Sequence, residues 1–243
     1  MTKKLKLDRL KILSGSMLKL IAIIAMFIDH AALLLAPQIP LMSVPFFTVG
    51  SQAVTIYFVM RKIGRLALPI FAFLICEGFL HTKNKRRYAL NLLIFAVISE
   101  IPYNIMKCGR LFNINTQNIF FTLFLGVLAL YIFETADGEL LKAVLLLAVG
   151  IVSAGLKCEY GIFGVLLILM LYVLKERPVA QGVLAYPFLS GKVAAWLAFI
   201  PINLYNGKRG FIKSGFLKYA FYAFYPLHIL ILVAIKLVLM KNS

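Results

Sequence analysis

The sequence predicts an all-α fold, a polytopic integral membrane bundle of about nine transmembrane helices (range 8–10). Of the 243 residues, 62% are hydrophobic and 14% are charged, with a mean hydropathy of +0.93. Soluble globular domains do not have this composition. Apolar stretches such as 18–36 and 217–240 approach the roughly 20 residues that cross about 30 Å of hydrocarbon. Lipid is therefore the main solvent, and we expect a single transmembrane domain over 1–243.

The predicted helices are apolar runs, and most Lys and Arg residues lie in the segments between them. These helices cover 18–36, 62–80, 88–105, 117–134, 140–156, 161–175, 179–190, 192–206 and 217–240. The apolar segment 45–60 is interpreted as an outer-face interfacial or re-entrant element, because a full span there would move the basic cluster at 83–87 to the outer side. The short pair 179–190 and 192–206, joined at Ser190-Gly191, forms either two spans or one re-entrant hairpin.

The net charge of +17 reflects membrane topology rather than nucleic-acid binding, because the basic residues do not interleave with aromatics on a soluble face. Most of them lie on one side if the N-terminus is cytoplasmic. We therefore predict a multi-pass protein of a bacterial cytoplasmic (inner) membrane with a basic cytoplasmic segment at 1–17. The first apolar run contains Asp29 and His30 and has no small-residue cleavage pattern, so it is expected to be a retained helix.

The three cysteines, Cys76, Cys108 and Cys158, are scattered and lack CxxC spacing. This pattern favours free thiols over a disulfide framework, and it gives no indication of a zinc site. We predict no metal.

Ionisable residues within the predicted helices are the main functional signal, because each costs at least about 2.5–3.5 kcal/mol in hydrocarbon and usually faces a cavity or a partner. They are Asp29, His30, Glu77, Glu100 and His228. Glu100 and His228 lie beside Pro102 and Pro226, and polar groups beside proline kinks often line cavities.

Lys19 and His30 lie on one stripe of the first helix, because a separation of eleven residues is three turns plus about 20°, or about 16 Å along the axis. Lys19 is either a ligand or an ordinary positive-inside anchor, and His30 is either functional or a structural hydrogen-bonding group. Asp29 points about 100° away from His30 and is a candidate to neutralise Arg65 or Lys62 on another helix.

Glu77 and His81 are four residues apart and share one helical face. Glu77 is either an acid, base or orienting carboxylate, or a polar tie between helices. The loop that follows carries Lys83, Lys85, Arg86 and Arg87. Such a cluster can bind phosphates or anionic lipid head groups, although a plain topology signal explains it as well.

Taken together, these segments resemble the TraX family over nearly the whole chain. The matching stretches are LKLIA at 18–22, MFIDH at 26–30, GRLALPIFAFLICEGF at 64–79, SEIPYN at 99–104, NIFFTL at 118–123, EYG at 159–161 and YPLH at 225–228. The family is named for an inner-membrane protein that acetylates the N-terminus of conjugative pilin. It is similar to a larger membrane acyltransferase superfamily, in which a basic residue and a histidine on the first helix have the spacing of Lys19 and His30.

The resemblance implies transfer of an acyl group, first of all acetyl, from cytoplasmic acetyl-CoA or another acyl-CoA to an acceptor in or across the membrane. The acceptor is left open as a peptide N-terminus, a glycan or a small molecule. The expected catalytic residues are His30, Glu77, Asp29, Glu100 and His228, with a carboxylate fixing the tautomer of His30. An oxyanion is to be stabilised by Arg65, Asn104 or Asn118. The CoA phosphates are assigned to Lys19, Lys83, Lys85, Arg86 and Arg87.

The strongest alternative is a proton-coupled transporter or flippase, because intramembrane Asp, Glu and His residues also build proton relays. Transporters often contain an inverted repeat with broken helices at corresponding positions, and the sequence contains no such repeat. A purely structural scaffold is disfavoured by the number of ionisable groups within the predicted helices.

Overall fold

The computed structural model describes residues 11–189, 193–212 and 214–241, which are mostly helical. The α-helices are α1 (Gly15–Leu35), α2 (Ile56–Gly64), α3 (Ala67–His81), α4 (Lys85–Cys108), α5 (Ile119–Thr135), α6 (Glu139–Gly155), α7 (Gly161–Val173), α8 (Pro178–Ala185), α9 (Val193–Trp196), α10 (Phe199–Asn203) and α11 (Gly215–Lys241). Strands β1 (Pro45–Val49) and β2 (Gln52–Thr55) form an antiparallel hairpin. Most of the predicted basic segment 1–17, from residue 1 to 10, lies outside the described residues.

Four described helical segments are long and apolar enough to cross a membrane. They are Gly15–Gln38, Ile56–His81, Lys85–Cys108 and Gly215–Lys241, and shorter apolar segments are Ile119–Thr135, Gly161–Val173 and Val193–Asn203. The predicted helical fold is thus confirmed, and these segments are suited to an integral membrane protein. The count of about nine spans stays a prediction, because several predicted helices are shorter than the roughly 20 residues of a full crossing.

Local capping explains where several helices begin. Ser14, Thr55, Asn84 and Asn118 each precede a helix, and their side-chain oxygens accept hydrogen bonds from backbone N–H groups in its first turn. Helix α4 ends at Gly109, whose φ of 69° is left-handed and suits a residue without Cβ. The observed helices therefore begin or end a few residues away from the apolar runs that predict them.

The segment 45–60 is mostly a β-hairpin, which sequence reasoning did not predict. Its strands are rich in β-branched and aromatic residues, and Gly50 in the turn has a φ of 59°. The hairpin leads into α2, so the predicted second helix 62–80 begins earlier, at Ile56, and is interrupted at Arg65-Leu66 before α3.

The predicted helices 179–190 and 192–206 are wrong as continuous elements. The first is α8 followed by a short 3-10 segment, Pro187–Leu189, and the second is divided into α9 and α10 by a turn. Pro187 lacks the N–H that a continuing α-helix requires, which explains the first break. The predicted junction at Ser190-Gly191 lies outside the described residues.

The contacts divide the chain into two compact units. The first comprises Met1–Ile70 and Leu197–Ser243, and within it α1 packs against α2 and α11. The second comprises Phe71–Trp196, and within it α5 packs against α4, α6 and α7. The prediction of a single domain is not tested by this division.

Small residues allow the helices of the second unit to approach closely. Gly126 on α5 lies against the side chain of Ile168 on α7, and Gly164 on α7 lies against Thr122 on α5. An added Cβ at either glycine would collide with the facing side chain. Close backbone approach of this kind is typical of helix packing in membranes, where apolar burial alone drives little association.

Candidate functional site

Two histidines that lie far apart in the sequence form a buried hydrogen-bonded pair in the first unit. His30 on α1 and His228 on α11 are separated by 2.7 Å between Nδ1 of His30 and Nε2 of His228. Their rings are nearly parallel, at an interplanar angle of 3°, and the two residues are only 8% and 2% exposed. Sequence reasoning selected both residues but expected a carboxylate to orient His30. The structure adds a second imidazole in that role.

The hydrogen bonds assign a tautomer to each ring. Nδ1 of His228 lies 2.8 Å from the backbone carbonyl of Phe224, which can only accept, so His228 carries its proton on Nδ1. Nε2 of a neutral His228 is then an acceptor, and Nδ1 of His30 must donate to it. The lone pair of His30 consequently lies on Nε2, which is the basic nitrogen of the pair.

Aromatic rings surround the pair. The ring of Phe224 stacks on His228 at a centroid distance of 4.8 Å, and Tyr225 lies edge-on to both imidazoles at 6.0 and 5.8 Å. Phe27, one turn before His30, also packs against His228. These rings exclude water from the imidazoles, and electrostatic interactions are stronger in such a low-dielectric environment.

Asp29 is neutralised by Arg61, with Nη1 of Arg61 2.6 Å from Oδ2 of Asp29. The structure thus pairs Asp29 with a basic residue of another helix, but with Arg61 and not with the predicted Arg65 or Lys62. The backbone of Gly64 lies directly against the Asp29 side chain, where a Cβ would collide with it. This contact brings α2 close to α1, so that the arginine one turn earlier reaches the carboxylate. Arg65 is half-buried and forms no ion pair with any residue in the described ranges.

A polar group at one end of the second unit joins three of the predicted site residues. Nδ2 of Asn118 donates to Oε2 of Glu100 at 2.6 Å and to the carbonyl of Ala96 at 2.8 Å. Asn104 lies one turn along α4 from Glu100 and is also buried, with Nδ2 3.4 Å from the carbonyl oxygen of Leu111. Asn118 additionally caps α5, which explains why this residue is fully buried at the start of an apolar helix.

The basic end of the second unit is partly neutralised. Lys85 forms an ion pair with Glu134, and Glu134 also accepts a hydrogen bond from Tyr172. The ammonium of Lys85 lies 4.4 Å from the ring centroid of Phe79. Lys83, Arg86 and Arg87 are exposed, and no described acidic residue pairs with them. Glu77 and His81 lie 3.5 Å apart between Oε2 and Nε2, as their spacing predicts.

The predicted site residues thus fall into separate groups. His30 and His228 meet, and Asp29, Arg65 and Lys19 belong to the same unit. Glu100, Asn104 and Asn118 form a second group, and Glu77 with the basic loop forms a third. All three cysteines are free thiols, as predicted. In the part of the chain that the structure describes, no three His, Cys, Asp or Glu residues are grouped to hold a metal ion.

A comparison with protein-family models matches residues 14–236 to the TraX protein family. The chain belongs to the TraX family. A fimbrial relative agrees over nearly the full length: the chain is 34% identical over 254 residues to a probable fimbrial assembly protein FimC, serogroup H1, of Dichelobacter nodosus. That match covers 93% of this chain and 97% of the relative. An uncharacterized protein RP591 of Rickettsia prowazekii (strain Madrid E) is 32% identical over 120 residues, which are 49% of this chain and 38% of that protein. No solved structure matches the chain.

Membership in the TraX family confirms the resemblance drawn from the sequence motifs. Each of the groups above contains residues of those motifs: MFIDH and YPLH supply the histidine pair, and SEIPYN and NIFFTL supply Glu100, Asn104 and Asn118. Arg61 lies just before the third motif, and sequence reasoning missed its pairing with Asp29. The position of Arg61 one helical turn before Arg65 was the available signal.

Proposed function

We propose that this TraX-family protein is a membrane-bound acyltransferase that moves an acyl group, first of all acetyl, from acyl-CoA to an amino or hydroxyl group of an acceptor. The observation that carries the proposal is the buried pair of His30 and His228, in which the hydrogen bond to His228 puts the basic nitrogen of His30 at Nε2. Family membership supports the same reaction class. The finer topology, with multiple spans in an inner membrane and a cytoplasmic N-terminus, is part of the proposal.

In the proposed reaction, the acceptor nitrogen or oxygen attacks the thioester carbonyl while Nε2 of His30 removes its proton. The new C–N or C–O bond leaves a tetrahedral oxyanion. Collapse of this intermediate breaks the C–S bond, and the departing CoA thiolate takes the proton from His30. The imidazolium of the intermediate stage is stabilised because its Nδ1–H donates to His228, which in turn donates to the carbonyl of Phe224. No covalent acyl-enzyme is required.

Arg65 is the proposed oxyanion-stabilising group in the unit that contains the histidines. Its neighbour Gly64 touches Asp29, the residue before His30, and its guanidinium is not held by Asp29, which Arg61 already neutralises. In a site from which water is excluded, a cation near the oxyanion lowers the activation free energy more than a solvated cation does. Roles for Glu77, Glu100, Asn104 and Asn118 stay predictions, and the contacts of the donor phosphates are considered below.

A fimbrial subunit is the favoured acceptor. The Dichelobacter nodosus relative carries the name of a fimbrial assembly protein, and the family takes its name from a protein that acetylates pilin. The attacking group is then the α-amino group of the subunit. This group is partly unprotonated near neutral pH, since its usual pKa is about 7.7–8.0.

The direct test is acetyl transfer by the purified protein in proteoliposomes, with labelled acetyl-CoA and a fimbrial subunit. His30→Gln keeps some hydrogen bonding but removes the base, so we expect transfer to fall by roughly 100-fold or more. The matched control is His81→Gln, which changes the exposed histidine of α3 and should leave transfer unchanged.

The two function classes give different outcomes in this assay. A proton-coupled transporter would neither transfer nor hydrolyse the acetyl group, and its activity would depend on a proton gradient. A folded His30→Gln protein that transfers acetyl at the original rate would remove His30 from the mechanism.

A further inference from the structure

Three basic residues gather at the start of α1 in the first unit. Arg209, in the segment between α10 and α11, and Lys218, on α11, lie near enough to Lys19 for their charges to act on its ammonium. Lys19 and Lys218 are half-buried and Arg209 is exposed. Like charges repel, so this grouping is unfavourable unless an anion joins it.

The backbone holds Arg209 in this position. The backbone N–H and the hydroxyl of Ser16 both donate to the carbonyl of Arg209, at 2.9 and 2.7 Å, and the N–H of Gly15 donates to the carbonyl of Lys208 at 2.8 Å. Gly210, at a φ of 86°, packs so tightly against Ser14 and Ser16 that a Cβ would collide with them. The segment before α11 is therefore fastened to the start of α1.

In the part of the chain that the structure describes, no acidic side chain pairs with these three cations. Within the described residues, neither Lys19, Arg209 nor Lys218 forms an ion pair, whereas Lys85 and Lys142 of the second unit are paired with Glu134 and Glu139. A positive-inside signal requires only basic residues near a helix end. It does not require a half-buried lysine whose charge is opposed by two other cations, one of them on a segment hydrogen-bonded to the start of the helix.

The same two helices carry the histidine pair at a fixed distance from these cations. Lys19 precedes His30 by eleven residues on α1, about 16 Å along the axis, and Lys218 precedes His228 by ten residues on α11, about 15 Å. Helices α1 and α11 pack against each other, the charge of Lys218 acts on Lys19, and the two histidines are hydrogen-bonded. The two helices therefore carry cations near their N-terminal ends and imidazoles about three turns further along. A ligand that suits both has an anionic end and a reactive end joined by an extended arm.

We propose that Arg209 and Lys218, together with Lys19, form a phosphate-binding site for the acyl donor. This inference rests on the proposed acyltransferase function. The phosphates of the acyl-CoA bind the three cations, and the pantetheine arm extends along α1 and α11 so that the thioester reaches His30. The site for the donor phosphates is thus in the first unit, and Lys83, Arg86 and Arg87 are not required for donor binding.

Equilibrium binding without turnover tests the site. Binding of CoA, 3′-dephospho-CoA and pantetheine to the full-length protein is measured in nanodiscs made of phosphatidylcholine alone or with phosphatidylglycerol. We expect Arg209→Gln/Lys218→Gln to weaken CoA binding at least about tenfold, because each charge-assisted hydrogen bond to a phosphate contributes more binding free energy than a neutral hydrogen bond does. It should leave the weak binding of pantetheine unchanged and reduce the dependence of CoA affinity on salt. The matched control, Lys236→Gln, removes a charge elsewhere on α11 and should have no effect.

Two further outcomes would overturn the inference. Unchanged CoA binding in Arg209→Gln/Lys218→Gln, with loss of CoA binding in Lys83→Gln/Arg86→Gln/Arg87→Gln, would assign the donor phosphates to the 83–87 loop. Unchanged CoA binding accompanied by loss of a phosphatidylglycerol-dependent rise in melting temperature would assign the three cations to a lipid head group. A wild-type protein that binds CoA through Arg209 and Lys218 but transfers no acetyl group would uphold the site and contradict the proposed function.

Discussion

Replacing His228 with phenylalanine tests whether the histidine pair acts as a unit. Phenylalanine fills much of the same space among aromatic neighbours but offers no acceptor to His30. The Nδ1–H of His30, which lies 2.7 Å from Nε2 of His228, then loses its partner in a buried site. His228→Gln provides a conservative comparison, because a glutamine oxygen can accept the same hydrogen bond.

The expected effect follows from the strength of the lost bond. A hydrogen bond to a charged group contributes about 1.5–3 kcal/mol, and the pair reaches this strength only when His30 becomes an imidazolium. At about 1.36 kcal/mol for each factor of ten, kcat should fall roughly 10- to 150-fold. KM should change little, because the bond strengthens after substrate binding. His228→Gln should recover part of the loss.

The assay is the acetyl-transfer measurement in proteoliposomes, with kcat and KM determined for single and double variants. Because His228 acts through His30, His30→Gln/His228→Phe should be no slower than His30→Gln alone. If the losses of kcat in the two single variants multiply in the double variant, the reasoning is refuted. An unchanged kcat in a folded His228→Phe protein would refute it as well. Thermal unfolding in detergent checks that folding is retained.

Two other predictions concern stability and topology. Asp29→Asn or Arg61→Gln should each reduce the free energy of unfolding by about 1–3 kcal/mol. This is less than for a fully buried pair, because both side chains are partly exposed. Additive losses in the double variant would contradict the pairing. In intact cells a membrane-impermeant maleimide should label the wild type at exposed Cys108 and not label Cys108→Ser, because Cys76 and Cys158 are buried. Lys83→Cys in the Cys108→Ser background should react only after permeabilisation, and labelling before it would reverse the proposed orientation.

Much of the helical architecture was predictable because it depends on local sequence. Apolar runs placed α1, α4, α5, α6, α7 and α11 to within a few residues, and the spacing of Glu77 and His81 predicted their contact on one helical face. The hairpin at Pro45–Val49 and Gln52–Thr55 was not predictable from hydrophobicity alone, because a short apolar run suits a strand and a helix equally.

The sequence by itself identified the ionisable residues, because a charge within an apolar run is conspicuous wherever the chain folds. It did not determine their partners. His30 and His228 are 198 positions apart, and Lys19 lies even closer to the start of the chain while Arg209 is near its other end, so no local spacing relates them. Only the packing of α11 and its preceding segment on α1 brings them together. Likewise, the choice of Arg61 over Arg65 as the partner of Asp29 was decided by the close approach of Gly64 to α1. Helical periodicity specifies the face on which a side chain lies, whereas its partner depends on which helix packs against that face and at what height.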